Sequence, residues 1–249
     1  MRVRTLPRWL PCLLLATLTW TPWTIGNSRV TAEDVKGHSA VKAEPRDGNW
    51  MKRHESFNER VKKGGVDLLF IGDSITQGWE GAGKSVWAQH YAKRNAVNLG
   101  IGGDRTQHVL WRLDHGNVEG IQPKAAVLMI GTNNSGANSP EEIADGVKAI
   151  VSQLRTKLPQ TKVLILGIFP RGANDKDARR QTNAKTNSLV APIADGKDVF
   201  YLDIGPKFLA EDGTLSKEIM PDLLHLSPKG YQIWADAIES QVAQLMGEK

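Results

Sequence analysis

Apolar residues in this chain fall into short unbroken runs that alternate with longer segments of mixed character. The run from Leu68 to Ile71 has no polar alternation, so it predicts a strand that is buried on both faces. Four further runs predict the other strands, at residues 96–99, 125–130, 162–169 and 198–203. Strands of this kind are typical of a parallel sheet that helices cover on both sides.

Helices are predicted between these strands, where apolar residues recur at intervals of three or four. The segment 106–115 carries Val109, Leu110 and Leu113 at helical spacing. The other predicted helices are 50–63, 85–94, 140–157, 178–193 and one that begins after Ser227. The alternation of strands and helices predicts an α/β fold of three layers, αβα, with a five-stranded parallel sheet in the middle.

The N-terminus differs from the rest of the chain. Three arginines within the first eight residues precede an apolar stretch that continues to about Ile25. This order predicts a secretory signal peptide over residues 1–32, cleaved near Glu33 or, alternatively, near Gly26. An uncleaved membrane anchor is the other reading, although the stretch contains two prolines and is short for a spanning helix. We therefore expect a secreted or periplasmic protein with no membrane span after cleavage.

The predicted mature chain divides into a flexible leader, residues 33–49, and one folded domain, residues 50–249. The leader is predicted from its polar composition and from its Gly and Pro residues. The single cysteine, Cys12, lies in the signal segment, so the mature domain is expected to have no disulfide and no thiol chemistry.

Most of the net positive charge of the chain comes from its N-terminal segment. Residues 1–32 hold four Arg and no acidic residue, so their removal lowers the formal net charge from +5 to +1. The basic balance thus belongs to the signal segment. A nucleic-acid partner is therefore not expected, because such a partner needs a basic face on the folded domain.

Residues suited to chemistry follow the predicted strands directly. Ser74 follows the first strand, Gly103 the second and Asn133 the third, while Asp222 and His225 lie beyond the fifth. The carboxyl ends of parallel strands meet at one edge of a sheet, where α/β proteins bind their ligands. These residues are therefore expected to converge there. A serine after a strand is alternatively just a helix cap, so the prediction for Ser74 depends on its partners.

The residue types fit nucleophilic acyl transfer. A serine hydroxyl needs a base within hydrogen-bond reach, commonly an imidazole that a carboxylate orients. Asp222 and His225 are three residues apart, a spacing that lets the carboxylate reach the ring nitrogen that does not face Ser74. A developing oxyanion also needs hydrogen-bond donors. Three are available: the backbone amides of Ser74 and Gly103 and the side-chain amide of Asn133.

Other residues offer competing interpretations. Asp73 is expected to brace the loop by accepting backbone amides rather than to serve as the triad acid. Arg105 and Arg171 are expected to pair with Asp104 and Asp175, or alternatively to contact an anionic leaving group. No His/Cys cluster or phosphate-loop pattern is present, so neither a metal nor a cofactor is expected. Four histidines within or beside predicted helices are weaker candidates for the base: His54, His90, His108 and His115.

Four sequence blocks resemble those of the GDSL/SGNH hydrolase superfamily. They are GDSIT around Ser74, NLGIGGD around Gly103, GTNN around Asn133, and DLLHLSPKGY around Asp222 and His225. The runs GIGGDRTQHVLWRL and FPRG further resemble the platelet-activating-factor acetylhydrolase catalytic-subunit group and its bacterial relatives. The resemblance covers roughly residues 50–245. It implies a flavodoxin-like fold and ester hydrolysis through an acyl-serine intermediate, without metal or cofactor.

The resemblance also implies a role for each residue. Ser74 would be the nucleophile and His225 the base and then the acid. Asp222 would orient His225, and Gly103 and Asn133 would stabilise the oxyanion. The implied function is a secreted serine esterase that hydrolyses short-chain, acetyl-type carboxylic esters.

Several alternatives stay open. The intracellular group lacks a secretory leader, so the substrate is open between phospholipid-like esters, as for a lysophospholipase or acetylhydrolase, and O-acetylated carbohydrate. A noncatalytic binding module of the same fold is a further alternative. Because the related subunits pair as dimers, a homodimer is possible, with the helix that carries Trp111 as a contact.

Overall fold

A computed structural model describes Met1 and residues 37–248 of the chain. One sheet of five parallel strands runs through the domain in the order β2-β1-β3-β4-β5. The strands are β1 (Leu68–Gly72), β2 (Ala96–Gly100), β3 (Ala125–Met129), β4 (Lys162–Leu166) and β5 (Val199–Leu202). This order is that of flavodoxin-like sheets, and it confirms the predicted three-layer αβα fold.

Seven α-helices and several short 3-10 turns connect the strands in the described part of the chain. The helices are α1 (Asn49–Lys62), α2 (Ser74–Gln77), α3 (Lys84–His90), α4 (Thr106–Asp114), α5 (Pro140–Lys157), α6 (Ala178–Val190) and α7 (Pro228–Met246). Ser139 starts α5 with a reciprocal cap, in which its hydroxyl accepts from the amide of Glu142 and the Glu142 carboxylate accepts from the amide of Ser139.

The sheet separates two apolar cores because alternate strand residues point to opposite faces. In β1, Leu69 and Ile71 join the core beneath α1, α4 and α5. Leu68 and Phe70 join the other core, which contains Trp234 of α7. A fully buried side chain of this size stabilises the fold by about 1.5–3 kcal/mol. These cores fix the carboxyl ends of the strands, which carry the candidate site.

Several predicted elements end earlier than the sequence pattern indicates, and two of these ends have a clear cause. The fourth strand was expected to reach Phe169, but β4 ends at Leu166 because the side chain of Asn187 bonds both backbone groups of Ile168, at 2.7 and 3.0 Å. Helix α6 gives way to a 3-10 turn at residue 191, since Pro192 has no N–H to continue an α-helix.

The N-terminal segment 37–48 differs from the flexible leader that its composition predicts. Ala40 is fully buried, and its carbonyl accepts a 2.7 Å hydrogen bond from the Thr106 hydroxyl. The amide of Glu44 donates to the carbonyl of Gln107. These contacts are polar and long-range, so no apolar periodicity announces them. The prediction of a leader free of the domain is thereby corrected for this segment.

The remaining N-terminal predictions concern residues 1–36, which apart from Met1 lie outside the described residues. Within the described part of the chain, no helix combines the length and the apolar character needed to cross a membrane.

Candidate active site

The structure brings the three predicted triad residues together at the carboxyl edge of the sheet. Ser74 opens α2 directly after β1, and its Oγ lies 2.8 Å from His225 Nε2. His225 Nδ1 lies 2.6 Å from Asp222 Oδ2. A carboxylate can only accept, so Nδ1 carries the proton of the neutral ring and Nε2 is left to accept from the Ser74 hydroxyl. This tautomer is the one that a general base requires.

The turn that carries Asp222 and His225 is held by local hydrogen bonds. Asp222 Oδ1 accepts from the backbone amides of His225, at 2.7 Å, and of Leu224, at 3.0 Å. Leu223 has a φ of 60°, which is strained for a leucine, and its carbonyl accepts from the Gly172 amide. Partial burial acts to raise the pKa of Asp222, but the hydrogen bonds from His225 and Leu224 outweigh it and lower that pKa. Asp222 therefore stays ionised beside the imidazole.

Asp73, and not Ser74, caps helix α2. Asp73 is fully buried, and its Oδ1 accepts from the Ile75 amide at 2.9 Å, which confirms the predicted bracing role. Its Oδ2 has no hydrogen-bond partner among the described residues. Burial raises the pKa of Asp73 to about 7, and the charge of Asp104 acts in the same direction. Because Asp73 supplies the cap, the Ser74 hydroxyl is free to face His225.

The loop after β2 lies against Ser74. The amide of Gly102 donates to Gln77 Oε1 at 2.7 Å, and a Cβ added at Gly102 would lie 3.8 Å from the Cβ of Ser74. Gly103 has a φ of 77°, a conformation that favours glycine. Among the described residues, no acceptor bonds the backbone amide of Ser74 or of Gly103. Both amides therefore keep a free donor, as the prediction for the oxyanion requires.

Asn133 completes the donor set from the end of the neighbouring strand. Its Nδ2 donates to the carbonyl of Asp104 at 2.8 Å. A side-chain amide has two N–H groups, so this bond fixes Asn133 while it leaves one donor free.

A buried ion pair behind this loop was not foreseen from the sequence. Asp104 is fully buried, and its Oδ2 accepts from Arg112 Nε at 2.9 Å. Its Oδ1 accepts from Trp50 Nε1 at 2.6 Å and from Arg46 Nη1 at 3.3 Å. Burial raises the pKa of Asp104, while Arg112, Trp50 and Arg46 act against that rise. The partners lie 8 to 58 residues away along the chain, so no local spacing signals them.

The predicted ion pairs of Arg105 and Arg171 are wrong. Asp104 binds Arg112 and Arg46 instead, and among the described residues neither Arg105 nor Arg171 forms an ion pair. Arg171 donates to Thr132 Oγ1 at 3.2 Å. Its pKa is lowered mainly by burial, and the nearby charge of Arg179 adds to this.

The other histidines are occupied elsewhere. Burial lowers the pKa of both His54 and His108 to about 4, and these rings lie in the packing between α1 and α4. His90 contacts Glu239, and His115 stacks on Trp111. None of the four is hydrogen-bonded to Ser74.

The site is open to solvent. The side chain of His225 is 44% exposed and that of Asp222 is 56% exposed. A groove of about 640 Å³ lies elsewhere, along β2, and none of the predicted site residues lines it. In the described part of the chain, no group of three or more His, Cys, Asp or Glu side chains is arranged to hold a metal ion.

A nucleophilic hydroxyl, an oriented imidazole and three donors at one sheet edge form the arrangement of serine hydrolases. Comparison with known proteins agrees. The chain matches the GDSL-like Lipase/Acylhydrolase family over residues 70–233, and it belongs to that family. It is thus a carboxylic-ester hydrolase.

The chain is also similar to individual proteins of known name. The chain is 39% identical over 203 residues to platelet-activating factor acetylhydrolase IB subunit alpha1 of Homo sapiens, which covers 81% of this chain and 86% of that protein. It is 38% identical over 218 residues to subunit alpha2 of Rattus norvegicus, with 87% and 90% covered. Axe2, an acetylxylan esterase from Geobacillus stearothermophilus, shares the fold with a TM-score of 0.57 at 19% identity, over 75% of this chain and 96% of that one.

Proposed function

We propose that this protein is a secreted serine esterase for esters of short acyl groups, acetyl above all, and that it works through an acyl-serine intermediate. The observation that carries the proposal is the continuous chain of contacts from Ser74 Oγ through His225 to Asp222. Membership of the family gives the reaction class, and this geometry supports the proposed residue roles.

In the first half of the proposed reaction, the Ser74 hydroxyl gives its proton to His225 Nε2 while Oγ attacks the acyl carbon. Negative charge develops on the former carbonyl oxygen. The amides of Ser74 and Gly103 and the free N–H of Asn133 stabilise it, and each such donor contributes roughly a hundredfold or more in rate. Asp222 stabilises the imidazolium that forms. His225 Nε2–H then protonates the leaving oxygen, the C–O bond breaks and the alcohol departs.

In the second half, water takes the place of the alcohol. His225 Nε2 accepts a proton from the water as its oxygen attacks the acyl-serine carbonyl. The same three donors stabilise the second oxyanion. Nε2–H then returns the proton to Ser74 Oγ as the acyl bond breaks, which releases the carboxylic acid and restores the starting state.

The preference for short acyl groups is supported by the exposure of the site. Because His225 and Asp222 are about half exposed, a long acyl chain placed beside them would stay largely in water and gain little from burial. The relatives add support, since both an acetylhydrolase and an acetylxylan esterase act on acetyl esters.

The location outside the cytoplasm is supported by the basic and apolar N-terminal sequence. N-terminal sequencing of the protein recovered from cell fractions tests it. A start near Glu33 or Gly26 in exported material is expected, whereas an intact N-terminus confined to the cytoplasm would contradict it.

The central test is hydrolysis of p-nitrophenyl acetate by the wild type and by Ser74→Ala. The activity of Ser74→Ala is expected to fall to the background rate, and a fluorophosphonate probe should label only the wild type. Ser188→Ala is the matched control, since Ser188 is exposed on α6 and bonds only Lys185. Equal rates for Ser74→Ala and Ser188→Ala would refute the proposal and favour a noncatalytic binding module.

The leaving group is tested separately with a panel of acetylated xylo-oligosaccharides, lysophospholipids and acetyl phospholipids. Fastest turnover of the acetylated sugars would support a carbohydrate O-acetyl esterase. Fastest turnover of the acetyl phospholipids would support an acetylhydrolase like the mammalian relatives. A preference for long-chain lysophospholipids would contradict the short-acyl proposal.

A further inference from the structure

The loop after β2, residues 101–104, is called the oxyanion loop here, and it is a tight turn whose middle peptide supplies a proposed catalytic donor. The amide of Asp104 donates to the carbonyl of Ile101 at 3.1 Å, which closes a four-residue turn. Gly102 has a negative φ and Gly103 a φ of 77°, the signature of a type II turn. The peptide that joins these two glycines contains the carbonyl of Gly102 and the amide of Gly103.

This middle peptide has two available orientations. A type I turn keeps the same closing hydrogen bond but rotates the middle peptide by about 180°. Glycine at the third position accepts either conformation, so the backbone by itself does not select one. A peptide is planar and trans, with its C=O and N–H pointing in opposite directions. In the rotated form the Gly103 N–H would therefore point away from the substrate, and a carbonyl oxygen would face the developing oxyanion.

One side chain from outside the loop, that of Arg46, is hydrogen-bonded to this peptide. Arg46 Nη1 donates to the carbonyl oxygen of Gly102 at 2.8 Å, and the same nitrogen lies 3.3 Å from Asp104 Oδ1. The guanidinium also lies against Gly103, since a Cβ added there would be 3.2 Å from both terminal nitrogens. By contrast, Gln77 Oε1 binds the amide of Gly102 and so fixes only the preceding peptide.

We propose that Arg46 is a positioning residue that holds the Gly102–Gly103 peptide in the type II orientation and so aims the Gly103 amide at the oxyanion. The inference rests on the proposed function, because it assumes that the Gly103 amide stabilises a negative charge. A charged donor on the Gly102 carbonyl also polarises the peptide, which strengthens the N–H on its other side.

The segment that carries Arg46 is suited to this role. Ala40 and Glu44 anchor it to Thr106 and Gln107 in the first turn of α4, directly beyond the oxyanion loop. The segment 37–48 is thus part of the active-site support.

The test measures kcat and KM with p-nitrophenyl acetate for Arg46→Ala and Arg46→Lys. Arg46→Ala is expected to lower kcat about tenfold with KM changed by less than about twofold, because the donor is needed mainly in the transition state. Arg46→Lys should lie between the wild type and Arg46→Ala, since an ammonium can still donate one bond. Guanidinium chloride, well below denaturing concentration, should restore part of the kcat of Arg46→Ala.

Arg53→Ala is the matched control. Arg53 also donates to a backbone carbonyl near this loop, with Nε 2.9 Å from the oxygen of Gly100, the last residue of β2, but it does not touch the middle peptide. Its kcat is expected to stay within about twofold of the wild type. Equal kcat values for Arg46→Ala and Arg53→Ala would overturn the inference.

Two further outcomes distinguish the inference from a purely structural role of Arg46 and from the proposed function. A loss in Arg46→Ala that follows a lower melting temperature, and that guanidinium does not relieve, would also overturn it in favour of a structural role. Activity that persists in Ser74→Ala would refute the proposed function itself, whereas an inactive Ser74→Ala beside a fully active Arg46→Ala would refute only the role of Arg46.

Discussion

The two sides of the site are built in opposite ways. The triad turn, residues 222–225, is exposed and local, with a carboxylate and an imidazole three residues apart in a loop. The proposed oxyanion side, which comprises Gly103, Asp104 and Asn133, contains a buried carboxylate that is paired with a buried guanidinium. The side chains of Asp222 and His225 are about half exposed, while those of Asp104 and Arg112 are 0% and 1% exposed.

This difference predicts which side couples catalysis to stability. An exposed ion pair contributes about 0–1 kcal/mol to folding, because water solvates both charges when the pair is broken. Removal of one partner of a buried pair costs about 3–5 kcal/mol, because the other charge stays desolvated. A change at the triad turn should therefore stop the chemistry and leave the fold intact. A change at Asp104 should weaken the fold first. The same substitution, Asp to Asn, tests both sides.

The largest effect is expected for Asp222→Asn, measured as kcat with p-nitrophenyl acetate. Asn keeps the oxygen that accepts from the amides of Leu224 and His225. Its NH₂ group, however, would donate to His225 Nδ1 and move the ring proton to Nε2, which could then no longer accept from Ser74. A wrong tautomer of this kind lowers kcat by about 10⁴-fold.

The melting temperature is the control for Asp222→Asn. Because the position is so exposed, the free energy of unfolding is expected to change by less than about 0.5 kcal/mol, which corresponds to a shift in melting temperature of roughly 2 °C or less. A large drop in melting temperature would break the comparison, because the triad turn would then support the fold as well as the chemistry.

Asp104→Asn is expected to change the stability of the fold, and in free energy this effect is smaller than the effect of Asp222→Asn on catalysis. Whichever way the Asn amide is turned, its NH₂ group would face a donor, either Arg112 Nε–H or Trp50 Nε1–H, and the buried guanidinium would lose its counter-charge. The free energy of unfolding should fall by about 3–5 kcal/mol, and the melting temperature by roughly 10 °C.

Denaturant unfolding of Asp104→Asn beside Asp222→Asn measures this difference directly. Both variants carry the same chemical change, so the contrast isolates burial and pairing. If Asp104→Asn unfolds at the same denaturant concentration as Asp222→Asn, the oxyanion side does not depend on the buried pair.

The sequence predicts the triad turn well because its determinants are local. Asp222 and His225 are close together in the chain, and Ser74 follows an apolar run that is typical of a strand buried on both faces. Because the carboxyl ends of parallel strands meet at one edge of a sheet, Ser74 is predicted to lie at the same edge as Asp222 and His225. The fold class follows from the hydrophobic periodicity, with errors at element ends, such as Phe169, where the Asn187 side chain bonds the backbone in place of a strand partner.

The oxyanion side could be predicted only in part, for a physical reason. Gly103 and Asn133 can be predicted from the sequence because they follow strands. The residues that contact this loop from elsewhere in the chain cannot be predicted in this way. Trp50 and Arg46 reach Asp104 from more than fifty residues away, and neither lies in a periodic pattern that points to it. Long-range polar contacts leave no trace in local spacing, so a segment with the composition of a flexible leader turns out to contact the loop after β2 and the start of α4.

Asp73 sharpens the comparison because it combines features of both sides. It is as buried as Asp104, yet no cation of the described residues pairs with it, and it lies next to Ser74. Burial without an ion partner raises its pKa to about 7, so the folded state keeps a proton that the unfolded state releases near pH 4. The comparison then predicts that an unpaired buried carboxylate makes stability depend on pH.

The last effect, and the smallest per pH unit, is expected for Asp73→Asn, as a change in the slope of the free energy of unfolding against pH. Between about pH 4 and pH 7 the folded state binds one more proton at Asp73 than the unfolded state does. The free energy of unfolding should thus fall by up to about 1.4 kcal/mol per pH unit as the pH rises, and level off above pH 7. Asn mimics the protonated carboxyl and lacks this titration, so wild type and variant should converge near pH 4 and separate in favour of the variant toward pH 8. Parallel stability curves would show that Asp73 is ionised in the folded state, and a loss of kcat as deep as that of Asp222→Asn would mean that Asp73 takes part in the chemistry.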